Sequence, residues 1–185
     1  MSIGLKRGTV ALEPHNIEWE ISANKIIDKL KNILIDDILD VQHIGSTSIL
    51  HIYAKPIVDI VVGVSDFERI MKHNDVLKEA GIIYRREDHP GQHLYVCGDL
   101  ENNIHTHYIH VVIWGEKQWH NYINMRDYLN ANIDKAEEYS ELKLKLTKGY
   151  SEDRIAYTEG KSEFIERILQ EASEWRKKQI LSLEI

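Results

Sequence analysis

The sequence predicts an α+β domain in which a mixed β-sheet is followed by C-terminal helices. Residues 56–64 form an almost continuous β-branched run, which is typical of a strand covered on both faces. Residues 82–114 divide into short extended segments separated by turns, which favours antiparallel neighbours. From residue 116 onward, apolar residues recur at helical spacing. These three observations define the fold class.

Local patterns predict the elements on either side of the β-branched run. Residues 18–34 place apolar side chains three and four positions apart, which indicates an amphipathic helix. Residues 38–44 suit a short strand that ends before a glycine. Ser65 and Glu68 have the spacing of a capping box, and we expect the helix that follows them to end at Gly81.

The second half of the chain contains a β-meander and then helices. The expected extended segments are residues 82–85, 93–98 and 104–114. Three apolar stripes predict three C-terminal helices: Trp119, Tyr122, Ile123 and Leu129 on the first, Tyr139, Leu142 and Leu146 on the second, and Phe164, Ile168 and Ala172 on the third. We therefore expect a single domain over 1–185, with a sheet core over about 10–114 and a helical half over about 116–182.

Composition restricts the class of protein. The chain has 185 residues, of which 43% are hydrophobic and 29% charged, and one cysteine, Cys97. The 23 Lys and Arg against 30 Asp and Glu give a net charge of −7, which argues against binding extended nucleic acid but leaves room for a local basic pocket. Neither a signal-like segment nor a run of 18 apolar residues occurs, so we expect a cytoplasmic protein without membrane contact.

The segment 43–48, His-Ile-Gly-Ser-Thr-Ser, is the first candidate site. A strand there runs into Gly45 and then Ser46, Thr47 and Ser48, which can begin a helix. Free backbone N–H groups and hydroxyls at such a junction can hold a phosphate. The alternative interpretation is helix capping alone.

Asp59 is the second candidate, since it is the only charge within the β-branched run. Burial of an unpaired carboxylate costs several kcal/mol, so Asp59 needs a strand end, a cation, a metal or a proton. A hydrogen bond to backbone or a pair with Lys55 would be purely structural explanations. Both remain open alongside a functional role.

Three histidines lie in the segment 105–110. Alternation along a strand would place His105 and His107 on one face, where two imidazoles could reach one zinc or manganese ion. Solvation or ordinary hydrogen bonding is the alternative. His110 stands between Ile109 and two valines, so we expect it to be deeper and to need a polar partner such as Asp59.

Several cations could supply a basic pocket. They are Lys55, Arg126, Arg154 and Lys161, and Tyr157 accompanies them. If residues 157–168 form one helix, Tyr157, Lys161 and Ile168 share a stripe and the lysine head emerges at its rim. Surface ion pairs with Asp127, Glu159 or Asp153 are the alternative for each cation.

Five segments together resemble the GrpB family. They are His-Ile-Gly-Ser-Thr-Ser at 43–48, Ala-Lys-Pro-Ile-Val-Asp-Ile at 54–60, Ile-His-Val-Val at 109–112, Met-Arg-Asp-Tyr-Leu at 125–129, and Arg-x-x-Tyr-x-x-x-Lys-x-x-Phe at 154–164. The resemblance spans roughly residues 10–172. The pattern departs from the family where Leu50-His51 stands in place of an expected Pro-Gly.

The GrpB family is similar in fold to polymerase-beta-type nucleotidyltransferases, and this resemblance implies a mixed sheet of that type. It implies that Gly45, Ser46, Thr47 and Ser48 form the nucleotide-phosphate turn and that Asp59 is the first metal acid. That superfamily usually has a second acid two residues later, where this chain has Val61. Asp59 and His110 would then hold at most one divalent cation, Mg²⁺, Mn²⁺ or Zn²⁺, rather than two Mg²⁺ ions.

The resulting hypothesis is a protein that binds a nucleotide or another phosphorylated small molecule. It would transfer a nucleotidyl group, with a nucleoside triphosphate as substrate, if it is an enzyme. Asp59 and Lys55 would then be catalytic, and Arg126, Arg154, Tyr157 and Lys161 would bind phosphate. A noncatalytic binding or folding-assistance module is the alternative. A metal-dependent hydrolase built on His105, His107 and His110 ranks last.

Overall fold

A five-stranded mixed sheet organises the protein, for which the computed structural model describes residues 3–183. The strands of the chain are β1 (Leu5–Lys6), β2 (Asp40–Ile44), β3 (Val58–Val64), β4 (Ile83–His89), β5 (Gln92–Cys97), β6 (Ile104–His105) and β7 (His107–Ile113). The order in the main sheet is β2-β3-β7-β5-β4. β3 and β7 are parallel, and the other neighbours are antiparallel. This confirms the mixed sheet and the α+β class.

Helices cover both faces of this sheet. They are α1 (Ile17–Leu34), α2 (Phe67–Met71), α3 (Asn74–Glu79), α4 (Lys117–Ala131), α5 (Ile133–Gly149), α6 (Arg154–Glu159) and α7 (Ser162–Leu183). α1 packs Trp19 and Leu30 against Ile60 of β3 on one face. On the other face, Trp119 of α4 packs on Val61. The expectation of a strand buried on both sides is met by β3, in which every residue except Asp59 is buried.

The helical half forms its own apolar core. Leu129 of α4, Tyr139 of α5 and Ile168 of α7 pack together there with Ile49 and Ile52, which follow β2. The rings of Tyr139 and Phe164 stack with centroids 5.1 Å apart. The segment between β2 and β3 therefore connects the sheet to the C-terminal helices.

Three details of the predicted helices were wrong. The segment between β3 and β4 contains two short helices, α2 and α3, instead of one. Asp66, rather than Ser65, caps α2, because its carboxylate accepts from the Arg69 N–H at 3.0 Å. The C-terminal part contains four helices, since α6 ends at Glu159 and α7 begins at Ser162.

Gly160, at the break between α6 and α7, packs closely on α5. A Cβ built on Gly160 would lie 2.5 Å from a methyl group of Leu146 in α5. Close approach to α5 thus requires a residue without a side chain at position 160. The helical stripe expected through Tyr157, Lys161 and Ile168 is interrupted at this break.

Candidate functional site

Asp59 lies on the face of β3 that turns toward the C-terminal helices, and 28% of its side chain is exposed. Gly45, at the end of β2, crosses directly over it. A Cβ on Gly45 would be 2.5 Å from Asp59 Oδ2, and Gly45 has φ +71°. The close approach and the left-handed backbone both require glycine at this position. The candidate turn and the candidate acid are therefore in contact.

His110 of β7 contacts Asp59, the polar partner suggested by its sequence position. The expectation that it lies deeper was wrong, because His110 is only partly buried whereas His105 and His107 are buried. His110 Nε2 lies 3.4 Å from Asp59 Oδ1. Its Nδ1 lies 3.4 Å from the side-chain nitrogen of Gln92, which also donates to Asp88 at 3.1 Å. Because that amide nitrogen is a donor, Nδ1 is the acceptor and Nε2–H donates to Asp59.

Gln92 and Tyr122 surround His110 and were missed by sequence reasoning. Tyr122 donates to the Gln92 side-chain oxygen at 2.7 Å, and its ring lies 5.3 Å from the His110 ring. Burial raises the pKa of Tyr122 to about 12, so its hydroxyl stays a donor at neutral pH. The one available sequence signal was the position of Gln92, a polar residue directly before the expected strand 93–98. In the structure Gln92 begins β5 and is 2% exposed.

The turn after Gly45 does not begin an α-helix. Residues Ser46–Ser48 form a single 3-10 turn, followed by extended Ile49. The Ser48 hydroxyl donates to the Gly45 carbonyl at 2.7 Å. Thr47 is 2% exposed, and its hydroxyl lies 2.9 Å from His43 Nε2. The expectation of a helix N-terminus was therefore wrong, because local hydrogen bonds of Thr47 and Ser48 close the turn.

A second group of candidate residues gathers around the ring of Tyr157. Lys55 Nζ lies 4.4 Å from the ring centroid, and Lys161 Nζ lies 4.7 Å from it. Burial and the neighbouring charges of Lys161 and Arg154 lower the pKa of Lys55 to about 8, against a weaker opposing effect of Asp59. Within residues 3–183, none of these three cations forms an ion pair with a carboxylate. We call Lys55, Arg154, Tyr157 and Lys161 the lysine cluster.

Lys143 lies behind the lysine cluster and was also missed. It is 2% exposed, its Nζ donates to the carbonyl of Tyr53, and it stands 4.4 Å from the Tyr139 ring centroid. Burial, and next the charge of Lys161, lower its pKa to about 7. Position 143 is four residues after Tyr139, so the helical stripe itself contained the signal.

Arg126 takes a different place from the other cations. It donates to the Gln42 side chain at 2.9 Å and to the His43 carbonyl at 3.1 Å, and it pairs with Asp127 at 2.8 Å. It lines a groove with Thr47 and other residues of the turn, whereas Lys55 lines a different pocket. The structure thus places Arg126 beside the residues that precede the Ser46–Ser48 turn and not in the lysine cluster.

His105 and His107 do not point at a common ligand position. His105 Nδ1 lies 3.2 Å from the Tyr108 hydroxyl, whereas His107 Nε2 lies 3.0 Å from the Ser22 hydroxyl of α1. The strand is interrupted at Thr106, which explains why simple alternation was wrong here. Burial lowers the pKa of His107 to about 4, so it is neutral and structural.

The metal-binding potential of the site is limited. Among residues 3–183, no three or more His, Cys, Asp or Glu side chains are arranged to hold a metal ion. Asp59 and His110 provide two donors. Val61, where a second acid would stand, is fully buried against Ile44, Val112 and Trp119. The pair suits at most one cation that accepts both oxygen and nitrogen.

Comparison with known proteins identifies the family of this chain. Residues 9–171 match the family model for GrpB protein. The chain belongs to the GrpB family. The Glutamate-rich protein GrpB of Alkalihalophilus pseudofirmus is 38% identical over 172 residues, which cover 91% of this chain and 99% of that protein.

Two further GrpB relatives extend the comparison. The UPF0157 protein YqkA of Bacillus subtilis is 29% identical over 164 residues, and the chain spans only 47% of its length. The crystal structure of the conserved protein GrpB from Enterococcus faecalis has 28% identity and a TM-score of 0.80, covering 88% of this chain and 96% of that one. In residues 3–183 of this GrpB chain, no helix has the length and apolar character to cross a membrane.

The five segments that resemble GrpB make direct contact with one another. Gly45 and His110 both touch Asp59. Arg126 bonds the carbonyl that precedes the turn, and Lys55 lies on the Tyr157 ring. The segments are far apart in the chain, and the fold assembles them around Asp59.

Proposed function

We propose that this GrpB-family protein binds a nucleotide or another phosphorylated small molecule beside Asp59, with a phosphate group held by the lysine cluster. We further infer that its sheet is of the polymerase-beta nucleotidyltransferase type, in which a Gly-Ser turn precedes an acid-bearing strand. Gly45-Ser46 and Asp59 have this relation here. Support for that type comes from the order and contact of these segments.

The observation that carries the proposal is the concentration of positive charge around Tyr157. In addition to burial, Lys161 and Arg154 lie close enough to Lys55 to lower its pKa, against a weaker opposing effect of Asp59. In residues 3–183, none of the three cations forms an ion pair with a carboxylate. Placing like charges together in a partly desolvated position costs free energy, which a bound anion would offset. Phosphate suits the position because Lys and Arg donate charge-assisted hydrogen bonds to its oxygens.

The remaining residues have roles that follow from their contacts. Gly45 borders Asp59, so we assign Gly45 and Ser46 to the part of the site next to this carboxylate. Arg126 holds the His43 carbonyl, so we assign it the positioning of the turn instead of direct phosphate contact. His110, held by Gln92, orients the Asp59 carboxylate.

Nucleotidyl transfer is the second candidate function, and the Asp59–His110 contact favours it. One divalent cation held by these two side chains would polarise a phosphoryl oxygen, and Lys55 would neutralise developing charge. Ligation would require His110 to carry its proton on Nδ1, so that the Nε2 that faces Asp59 is free. The carboxylate and imidazole pair favours Mn²⁺ or Zn²⁺ over Mg²⁺. A site for two Mg²⁺ ions does not fit, because Val61 is apolar and buried. Binding without transfer is therefore the function that the geometry supports best.

The experiment compares thermal unfolding and pyrophosphate release for each nucleoside triphosphate, without metal and with Mg²⁺, Mn²⁺ or Zn²⁺. Asp59→Asn is the test variant, and Asp75→Asn, on exposed α3, is the matched control. Without metal, removal of the Asp59 charge should strengthen binding of the anion, because like charges repel.

Three outcomes separate the candidates. Ligand stabilisation without pyrophosphate release supports binding alone. Release that Asp59→Asn abolishes and Asp75→Asn preserves supports transfer. If no nucleotide, with or without metal, raises the melting temperature, the proposal is wrong.

A further inference from the structure

A pocket of about 250 Å³ lies beside the lysine cluster, where β4, β5 and β7 meet the N-terminal segment. Four arginines line it: Arg7, Arg85, Arg86 and Arg154. Leu94, Val96, His105 and Tyr108 complete the wall. Among the described residues, no carboxylate lines this pocket and none of the four guanidinium groups forms an ion pair. We call it the arginine pocket.

A β-bulge places two successive arginines in the arginine pocket. In the β4–β5 ladder, Tyr84 pairs with Tyr95 and Arg86 pairs with Leu94, so Arg85 is the extra residue. Successive residues of a regular strand point to opposite faces. The bulge removes this alternation and lets both Arg85 and Arg86 line the same pocket.

Besides burial, the charges of the arginines lower the pKa of His105, which forms part of the pocket wall. His105 is 4% exposed, and its pKa is lowered first by burial and then by the charges of Arg85, Arg7 and Arg154. The imidazole therefore adds no further positive charge, and its Nδ1 lies 3.2 Å from the Tyr108 hydroxyl. The field in the pocket thus comes from guanidinium groups, whose planar donor geometry matches phosphate oxygens.

We propose that the arginine pocket is a second anion-binding site, which takes a di- or triphosphate group. Four guanidinium groups balance the charge of an oligophosphate, and a single phosphate would leave them undercompensated. Arg7, Tyr108 and Arg154 line both this pocket and the small pocket that reaches Lys55. An oligophosphate here would therefore lie next to the phosphate proposed for the lysine cluster.

The test is calorimetric titration with inorganic tripolyphosphate, and in parallel with adenosine triphosphate, at low salt. The test variant is Arg85→Gln/Arg86→Gln, since both side chains are exposed and neither belongs to the lysine cluster. Lys177→Gln/Lys178→Gln, exposed on α7, removes the same charge elsewhere. Lost charge-assisted hydrogen bonds should weaken tripolyphosphate binding by more than about tenfold in the arginine variant and leave the control near wild type.

Parallel loss of adenosine triphosphate binding would assign the pocket to the triphosphate of a nucleotide, and loss of tripolyphosphate alone would assign it to a separate anion. A lack of tripolyphosphate binding to the wild type, or equal loss in the control, overturns the inference. Tripolyphosphate binding that depends on Lys55 and Lys161 but not on Arg85 and Arg86 overturns it while leaving the proposed function intact. Should the glutamine variant not fold, Arg85→Lys/Arg86→Lys retains the charge, loses bidentate geometry and must still weaken binding.

Discussion

Gly45 and Asp59 lie so close that a methyl group on Gly45 would stand 2.5 Å from Asp59 Oδ2. Gly45 directly follows β2, and Asp59 is the second residue of β3, where it pairs with Ile44 in the antiparallel ladder. Contact between turn and acid is therefore a consequence of strand register. The glycine is needed because of the acid beneath it as well as because of its own backbone.

Gly45→Ala should lower the free energy of unfolding by about 2–4 kcal/mol, since it adds a steric clash to left-handed backbone strain. Gly91→Ala is the matched control. Gly91 has φ +76°, but its Cβ would meet no atom within 4 Å, so only strain of about 1 kcal/mol is expected. Urea denaturation measures both. Equal losses in the two variants would show that Asp59 does not restrict position 45.

Anion binding at the lysine cluster should weaken as pH rises through about 8. The pKa of Lys55 is lowered to about 8 by burial and by Lys161 and Arg154, so Lys55 is charged below this pH and neutral above it. Titration with sulfate between about pH 7 and pH 9.5 measures the effect, because the charge of sulfate is constant there. Lys55→Arg should bind with little change over this range, since arginine remains charged. The same pH dependence in both proteins would contradict the assignment.

Lys143 should make stability increase with pH above neutrality. Its pKa is lowered to about 7 in the folded protein from 10.5, so the unfolded chain binds the proton more strongly between these values. The unfolding free energy should therefore rise between the folded and the unfolded pKa of Lys143, by no more than about 1.4 kcal/mol per pH unit. This stability is fully present above the unfolded pKa and is lost as pH falls through the folded pKa.

Lys143→Met should therefore gain stability relative to wild type at about pH 6, and this advantage should shrink toward about pH 10. Lys145→Met, exposed on the same helix, should show no such trend. Chemical denaturation at several pH values tests this. If the difference in unfolding free energy between wild type and Lys143→Met does not change with pH, Lys143 is not desolvated.

The sequence predicted those parts of the fold that depend on periodicity. The β-branched run predicted β3. Sequence also predicted that His110 needs a polar partner such as Asp59, and the two side chains are in contact. Asp59 stood out because a charge within an apolar strand needs a compensating group. Tyr157, Lys55 and Lys161 also meet as proposed, although through the α6–α7 junction and not along one helix.

The details that were missed depend on contacts between distant segments. Gly160, at the helix break, packs on Leu146 of α5, and the bulge at Arg85 appears only in the pairing of β4 with β5. The turn Ser46–Ser48 resembles a helix start in sequence, but the His43 ring engages Thr47 and the chain leaves in extended form. Gln92 gave only a weak signal, because its partners Tyr122 and Asp88 come from two different segments.

The most direct test of the account is calorimetric titration of nucleoside triphosphates into wild type, Lys161→Met and the control Lys177→Met. Lys161 lies on Tyr157 in the lysine cluster, whereas Lys177 is exposed on α7. Loss of one charge-assisted contact should weaken the binding of at least one nucleotide by about tenfold in Lys161→Met, with Lys177→Met near wild type. Absence of nucleotide binding to the wild type would contradict a nucleotide as the ligand, and equal affinity in all three proteins would contradict phosphate binding at the lysine cluster.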